Sequence, residues 1–311
     1  MRWLIMLTLV FASGVAFVYL QPGVVYRAAM NLERRLAGLH TYEVQLEEGV
    51  SVVYTDSGEG EPLLLLHGFT ADKDNWTRTA RHLTSHYRVI APDLPGFGDS
   101  TRDPALEYSI DKQLDWLGQF VDRLGIEKLH LGGSSMGGNI AANFAVRYPE
   151  RVKSLWLLAP GGVRTAAQSE MEQLLLEGAS HPLIPNDREG FERTLDFVFT
   201  ERPFLPGPLR RYLADDARAR YELRQKIFVE ILNEERTAIE PVLSDTVVGL
   251  GVPTLVVWGG GDRVLHPDGA EALAGLLDDA EAEVMEGVGH LPMLERPRQT
   301  AQRYISFRDQ L

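Results

Sequence analysis

From Tyr42 onward the chain alternates short apolar runs with longer segments of helical periodicity. Continuous apolar runs of this length are typical of strands that are buried on both faces of a parallel sheet. We therefore predict an α/β fold, with a mostly parallel central sheet and helices on both of its faces. The predicted strands are YEVQLEE, VSVVYTD, PLLLLHG, YRVIAPD, KLHLGGS, SLWLLAP and PTLVVWG, with a later one beginning at EVM.

One interval breaks this alternation. Between Gly161 and Gly251 no run has the character of a buried strand, whereas three stretches have helical periodicity: SEMEQLLLEGA, EGFERTLDFVF and ARARYELRQKIFVEILNEE. The segments HPLIPND and RPFLPGP between them predict proline turns. We interpret residues 163–250 as a helical cap inserted into a core formed by 45–162 and 251–311. The cap is either a lid over a site or an elaboration that serves packing alone.

The N-terminus has a different pattern. Residues 3–20 carry no charge, and as a helix they would reach roughly 27 Å, close to the thickness of a bilayer's hydrocarbon core. We predict that 1–22 is a single membrane anchor whose orientation is open, or a signal peptide cleaved near 12–14, which would make the protein secreted or periplasmic. The uncharged residues after 14 favour retention of the segment. Residues 24–40 predict an amphipathic helix in a linker spanning 23–44.

Composition narrows the function classes. With 44% hydrophobic and 24% charged residues, the chain is typical of a globular protein. Its formal charge of −13 argues against nucleic acid as a partner, because binding to phosphates needs a basic face. The absence of cysteine excludes disulfides, thiolate metal sites and a cysteine nucleophile. No cluster of ligands predicts a metal or a cofactor, and no pattern indicates an oligomeric state.

The strongest chemical signal is LHLGGSSMGGNIAANFAVRYPERV, an apolar strand that leads through Gly133-Ser134-Ser135-Met136-Gly137 into a helix. This is GxSxG in the strand–turn–helix context that its chemistry requires. Centring the pattern on Ser134 would place methionine at a glycine position, so Ser135 is the predicted nucleophile.

A serine hydroxyl needs a base, and the base needs a carboxylate that orients it. His290 follows the late strand in a glycine-rich loop and is the predicted base, although a surface histidine is the alternative. Asp262 ends PTLVVWGGGD, between the serine and the histidine in chain order, and is the predicted acid. Asp93 and Asp99 precede the serine and Asp245 lies in the cap, so all three are weaker candidates.

An oxyanion needs two N–H donors that are already in position. We predict the amide of Met136, directly after the nucleophile, and the amide of Phe69 in the loop after PLLLL. His67 in the same turn could be a second base or a metal ligand, but no ligand cluster accompanies it, so we interpret it as structural.

Five motifs occur in order along the chain: HGF (67–69), DLPGFGDS (93–100), GGSSMGG (132–138), LVVWGGGDRVLHP (255–267) and GVGHLPMLERP (287–297). Together they resemble the α/β-hydrolases that include bacterial membrane-associated lipases and monoacylglycerol lipases. The resemblance covers about residues 45–308 and implies ester hydrolysis through an acyl-enzyme, with Ser135, Asp262 and His290 as the triad. Gly260 departs from the family, which often has a first aspartate in a GDxD pattern.

The leading hypothesis is a lipase or esterase that acts on medium- or long-chain acyl esters, such as monoacylglycerols. A predicted anchor at residues 3–20 and an apolar cap both suit a lipid substrate. A carbon–carbon bond hydrolase of ring-cleavage products is the alternative enzyme, since such relatives also carry an SMGG elbow. A non-catalytic receptor that uses the capped cavity is the alternative from another class.

Overall fold

The computed structural model describes residue 3 and residues 16–165, 167–232 and 239–311. These residues form one eight-stranded sheet. The strands are β1 (His40–Gln45), β2 (Ser51–Asp56), β3 (Pro62–Leu66), β4 (Arg88–Pro92), β5 (Leu129–Ser134), β6 (Val152–Leu158), β7 (Thr254–Gly259) and β8 (Ala280–Met285).

The strand order is β1-β2-β4-β3-β5-β6-β7-β8. β2 pairs antiparallel with both β1 and β4, and the remaining neighbours are parallel. The predicted α/β fold with a mostly parallel sheet is therefore confirmed. β5 and β7 are buried along their whole length, as the continuous apolar runs indicated.

Helices cover both faces of this sheet. They are α1 (Pro22–Leu36), α2 (Thr77–Ala80), α3 (Ile110–Arg123), α4 (Met136–Arg147), α5 (Glu170–Leu176), α6 (Arg188–Val198), α7 (Gly207–Ala219), α8 (Tyr221–Glu230), α9 (Leu243–Thr246), α10 (Gly269–Ala274), α11 (Pro292–Glu295) and α12 (Pro297–Arg308).

Each face of the sheet has its own hydrophobic core. On one face, α3 and α4 bury residues such as Leu117 and Phe144. On the other, Tyr304 of α12 stacks on Trp156 of β6, with ring centroids 4.5 Å apart. These two cores fix the ends of β5, β7 and β8, and the loops that follow those ends carry the predicted site.

Helices α5 to α9 lie between β6 and β7, inside the predicted interval 163–250. α5 begins with a capping box between Ser169 and Glu172, and α6 is capped by Asp187, whose side chain accepts a hydrogen bond from the Gly190 amide. The cap boundaries themselves stay a prediction.

The cap differs from the prediction in two respects. We predicted a continuous helix from residue 217, whereas α7 ends at Ala219 and α8 begins at Tyr221, with Arg220 between them at φ −102° and ψ 6°. α7 begins within the proline segment that predicted only a turn, because proline is well tolerated in the first turn of a helix. Residues 233–235, the end of the predicted stretch, lie outside the described residues.

The predicted linker helix is present as α1, and it packs against the cap as well as connecting segments. The rings of Tyr26 and Tyr212 of α7 lie 5.7 Å apart. At its other end, Arg34 donates to Asp74, with 2.6 Å between Nε and Oδ1. The helix is therefore attached at both ends, to the cap and to the loop after β3.

Most of the predicted anchor, residues 4–15 of the interval 3–20, lies outside the described residues. Residues 16–20 are helical. Within the described ranges, no helix is both long and apolar enough to cross a bilayer.

Candidate active site

Ser135 lies in a strained turn between β5 and α4. Its backbone has φ 54° and ψ −119°, a combination that costs a non-glycine residue on the order of 1–3 kcal/mol. Backbone hydrogen bonds hold this conformation: the Ser135 amide donates to Leu158 O (3.0 Å), and its carbonyl accepts from the amides of Asn139 (3.1 Å) and Gly161 (3.0 Å). The turn therefore presents the side chain above the carboxyl edge of the sheet.

The two glycines of the motif are needed because backbone segments approach them closely. A Cβ on Gly133 would lie 2.1 Å from the carbonyl oxygen of Gly137, and one on Gly137 would lie 2.4 Å from that of His67. Neither position can accept a side chain without displacing the backbone around Ser135.

His290 and Asp262 form a buried pair. Nδ1 of His290 lies 2.8 Å from Oδ2 of Asp262, and the two residues are 4% and 6% exposed. The other carboxylate oxygen, Oδ1, accepts hydrogen bonds from the amides of Val264 (2.8 Å) and Leu265 (3.1 Å). A carboxylate held in this way favours the proton on Nδ1, which leaves Nε2 of the imidazole as an acceptor.

Ser135 and His290 line the same cavity, whereas Asp262 lies behind the histidine. The structure thus brings the three predicted residues together from three separate loops, after β5, β7 and β8. A base beside a serine, oriented in turn by a carboxylate, can activate the hydroxyl for attack on an acyl carbon.

Glu295 of α11 positions the histidine loop and was missed in the sequence. One carboxylate oxygen accepts from the Gly289 amide (2.8 Å), and the other accepts from the amides of Thr200 (3.0 Å) and Glu201 (2.9 Å). Burial raises the pKa of Glu295. Its place in the GVGHLPMLERP motif, a few residues after His290, is the signal that could have found it.

The two predicted oxyanion donors both lie close to Ser135. The Met136 amide is the first of α4, where the N–H groups of a helix have no acceptor within the helix and the dipole favours negative charge. Phe69 lies in the loop after β3 and lines the cavity together with Ser135. Among the described residues neither amide N–H donates to a backbone acceptor, so both are available to a ligand.

His67 is committed to the backbone. Its Nε2 accepts from the Leu94 amide (3.0 Å), and its Nδ1 lies 2.8 Å from the carbonyl oxygen of Gly68. Burial lowers the pKa of His67 to about 4. It is therefore neutral and fully bonded, which suits a structural role and not that of a second base.

The weaker acid candidates have other partners. Asp93 is buried and accepts from the amide and Nζ of Lys73, both at 2.7 Å, and Asp99 lies 2.8 Å from the same Nζ. Asp245 pairs with Arg164 on the surface. In the described part of the chain, no group of three or more carboxylate or histidine side chains is arranged to hold a metal ion.

A cavity of about 1240 Å³ opens above Ser135. Core loops, the cap and α1 all contribute to its wall. Apolar members from the cap and α1 include Met30, Leu183, Phe191, Leu195, Val198 and Leu213. Charged members lie around the loop after β3: Arg34, Asp72, Lys73, Asp99, Arg220 and Arg224.

Residues 61–297 match the family described as the alpha/beta hydrolase fold. Lipase 1 of Psychrobacter immobilis is 36% identical over 285 residues, which are 89% of this chain and 86% of that lipase. The monoacylglycerol lipase ABHD6 of Homo sapiens is 32% identical over 306 residues, 94% of this chain and 89% of that protein. Among solved structures, a membrane phospholipase A is 41% identical, with a TM-score of 0.87 over 99% of this chain and 98% of that one.

Proposed function

We propose that this chain, which belongs to the α/β-hydrolase family and is a carboxylic ester hydrolase of the lipase and esterase type, cleaves medium- to long-chain acyl esters such as monoacylglycerols. The acyl group is carried on Ser135. The observation that carries the proposal is the His290–Asp262 pair, joined at 2.8 Å, in which His290 lines the same cavity as Ser135.

The reaction follows from this arrangement in two halves. Nε2 of His290 takes the proton of Ser135 as its Oγ attacks the ester carbonyl, and the alcohol then leaves with that proton. Water enters, gives a proton to the same nitrogen and attacks the acyl-enzyme, which releases the fatty acid and restores Ser135. Asp262 stabilises the imidazolium that forms in each half and stays ionised.

Negative charge that develops on the carbonyl oxygen is bound by the amides of Phe69 and Met136. Two donors fixed before the reaction lower the barrier because they need no reorganisation when the charge appears. Loss of one such donor typically costs a factor on the order of 10²–10³ in rate.

The size and the lining of the cavity support a medium- or long-chain acyl group in the substrate. Its volume of about 1240 Å³ lies above the range of about 300–1,000 Å³ that is common for small-molecule sites, and apolar side chains form one side of it. The proposed lid, residues 163–250, supplies much of that apolar surface.

A carbon–carbon bond hydrolase is not favoured, because relatives named as lipases are 32–36% identical over most of this chain. A non-catalytic receptor would not need a strained serine turn, a base–carboxylate pair and two unused amides in one cavity.

We also propose that the protein is associated with a membrane through residues 3–20, as an uncleaved anchor. The uncharged sequence of the segment and the likeness to a membrane phospholipase A support this. Cleavage of the segment would make the protein secreted or periplasmic.

The test uses the full chain in detergent, first with a fluorophosphonate probe and then with nitrophenyl esters and monoacylglycerols of graded acyl length. Labelling of wild type and no labelling of Ser135→Ala are expected, with hydrolysis fastest for the longer chains. Equal labelling of the two proteins would refute the assignment of Ser135. A preference for acetyl over every longer chain would refute the substrate class.

A further inference from the structure

Two arginines enter the charged side of the cavity from the junction of α7 and α8. Arg220 lies between the helices and Arg224 lies one turn later, and both line the cavity. Residues four apart on a helix share a face, so the two guanidinium groups project to the same side.

The neighbouring cations on this side of the cavity have carboxylate partners. Arg220 lies 2.8 Å from Asp216, and Arg34 is paired with Asp74. Lys73 lies within 2.8 Å of carboxylate oxygens of both Asp93 and Asp99. The charges of these three groups are compensated within the protein.

Arg224 differs from them. Among the described residues no carboxylate oxygen lies within 4.0 Å of its guanidinium, and its hydrogen bond runs from Nη2 to the carbonyl oxygen of Thr70, at 3.3 Å. Burial and Arg220 lower the pKa of Arg224 to about 10, although the more distant Asp216 and Asp72 act in the opposite direction. The group is therefore still a cation at neutral pH.

Arg224 is partly buried, so leaving its charge without a close anion carries a desolvation cost, and most of its N–H donors have no hydrogen-bond acceptor among the described residues. A hydrogen bond to one carbonyl does not explain why the side chain is arginine. A planar guanidinium is suited to bind two oxygens of one anion at once.

The position of Arg224 relative to the proposed oxyanion amides limits which anion it can bind. Thr70 directly follows Phe69, whose amide is a proposed oxyanion donor, so the guanidinium lies within about 11 Å of that amide by chain length alone. In a glycerophospholipid the glycerol unit places the phosphodiester only a few bonds from the acyl carbonyl. The phosphodiester of a substrate whose acyl carbonyl is bound at that amide is therefore within reach of Arg224.

We propose that Arg224 binds the phosphodiester of a glycerophospholipid or lysophospholipid while its acyl ester is attacked by Ser135. This inference rests on the proposed function. The chemistry at the ester is unchanged: the acyl group passes to Ser135, the phosphate-bearing alcohol leaves with the proton from His290, and the phosphodiester stays intact. Arg224 thereby determines specificity for the headgroup.

The experiment compares two substrates with the same acyl chain, a monoacylglycerol and a lysophosphatidylglycerol, in the same detergent with full-length protein. In Arg224→Met, kcat/KM for the lysophospholipid is expected to fall on the order of 10- to 100-fold, the range for loss of a charged hydrogen-bonding partner, with little change for the monoacylglycerol. Arg224→Lys keeps the charge without the planar fork and is expected to show a smaller loss confined to the lysophospholipid.

The matched control is Arg218→Met, which removes an exposed arginine of α7 that does not line the cavity. It is expected to leave both substrates unchanged. If Arg224→Met lowers the melting temperature, Arg224→Lys carries the comparison.

Several results would overturn the inference. An equal fall on both substrates would mean that Arg224 only holds the Thr70 loop, and no change on either would mean that it binds nothing in the reaction. If Arg224→Met relieved inhibition by free fatty acid and left the ratio of the two kcat/KM values unchanged, the anion bound by Arg224 would be the product carboxylate. Wild type that hydrolyses only the monoacylglycerol would also refute it. Failure of the proposed function is distinct: neither substrate would react and Ser135 would not be labelled.

Discussion

At the scale of single residues, the chemistry depends on how each side chain is held. Both carboxylate oxygens of Asp262 are engaged, Oδ2 by His290 and Oδ1 by two amides of its own loop. Arg224 is the opposite case, with one long hydrogen bond to Thr70 and no carboxylate within 4.0 Å among the described residues. The contacts of Asp262 fix the orientation of its carboxylate, whereas those of Arg224 leave most of its N–H donors available to a ligand.

Replacing Asp262 by asparagine should preserve the fold and disable the base. An amide that donates to Nδ1 would favour the tautomer with its proton on Nε2, so kcat for a nitrophenyl ester is expected to fall on the order of 10⁴-fold, as in other Ser–His–Asp sites. Asp245→Asn, at an exposed aspartate of the cap, is the control and should retain full activity. Comparable losses in both variants would contradict the assignment.

Asp72 should make stability depend on pH. Burial, together with Asp74 and Asp93, raises the pKa of Asp72 from 3.8 to about 6. Between those values the folded state binds more protons than the unfolded state, so this group's contribution to stability decreases as pH rises through the window. Above about pH 6 the ionised carboxylate destabilises the fold.

Asp72→Asn removes that charge and can still accept the hydrogen bond from the Asp74 amide. It is expected to raise the melting temperature at pH 8, by a margin that shrinks towards pH 4. Glu59→Gln, on an exposed loop, is the matched control and should show no such trend. A variant that is less stable than wild type at pH 8 would refute the assigned sign.

These residues differ in how far the sequence predicts them. Ser135 was predicted because its signal is contained in five consecutive residues and their flanking strand and helix. Glu295 and Arg224 were not, because their partners, the amides of residues 200 and 201 and the carbonyl of Thr70, are distant in the chain and meet them only in the fold.

At the scale of elements, close approach of backbone explains the glycines around Ser135, where the strand–turn–helix unit brings β5, α4 and the loop after β3 together. The strands were predictable because their apolar runs are continuous. The break at Arg220 was not, since the residues on both sides of it favour helix.

Two glycines, one in the strand–turn–helix unit and one in α3, provide contrasting tests of this packing argument. Gly133→Ala would place a methyl group 2.1 Å from the Gly137 carbonyl, so we expect loss of labelling and a strongly lowered melting temperature. Gly118→Ala, within α3, meets no atom within 4 Å and should stabilise the fold by about 0.5–1 kcal/mol. Thermal unfolding of both variants checks this, and equal tolerance would contradict the packing argument.

At the scale of the whole molecule, the cavity is bounded by three parts that are far apart in sequence. α1 contacts the cap at Tyr212 and the core at Asp74, so it connects these two parts. The periodicity of the sequence predicted this helix, and we interpreted it as a linker. Periodicity indicates that a helix exists, but it does not indicate which elements the apolar face of that helix contacts.

Releasing α1 should change substrate preference. Arg34→Met removes the ion pair with Asp74, and the loosened wall should lower hydrolysis of long-chain nitrophenyl esters more than that of the acetyl ester. Arg35→Met, at the exposed neighbour, is the control and should leave the ratio unchanged. An unchanged ratio in Arg34→Met would show that α1 does not shape the acyl site.

The contact between α1 and α7 also sets an order of events during synthesis. Arg27 and Tyr212, which meet across this contact, are 185 residues apart, and His290 follows still later. Most of the chain must therefore be synthesised after α1 before its partner in α7 exists. Of the three proposed triad residues His290 is synthesised last, so a nascent chain lacks the proposed base until the loop after β8 has been made.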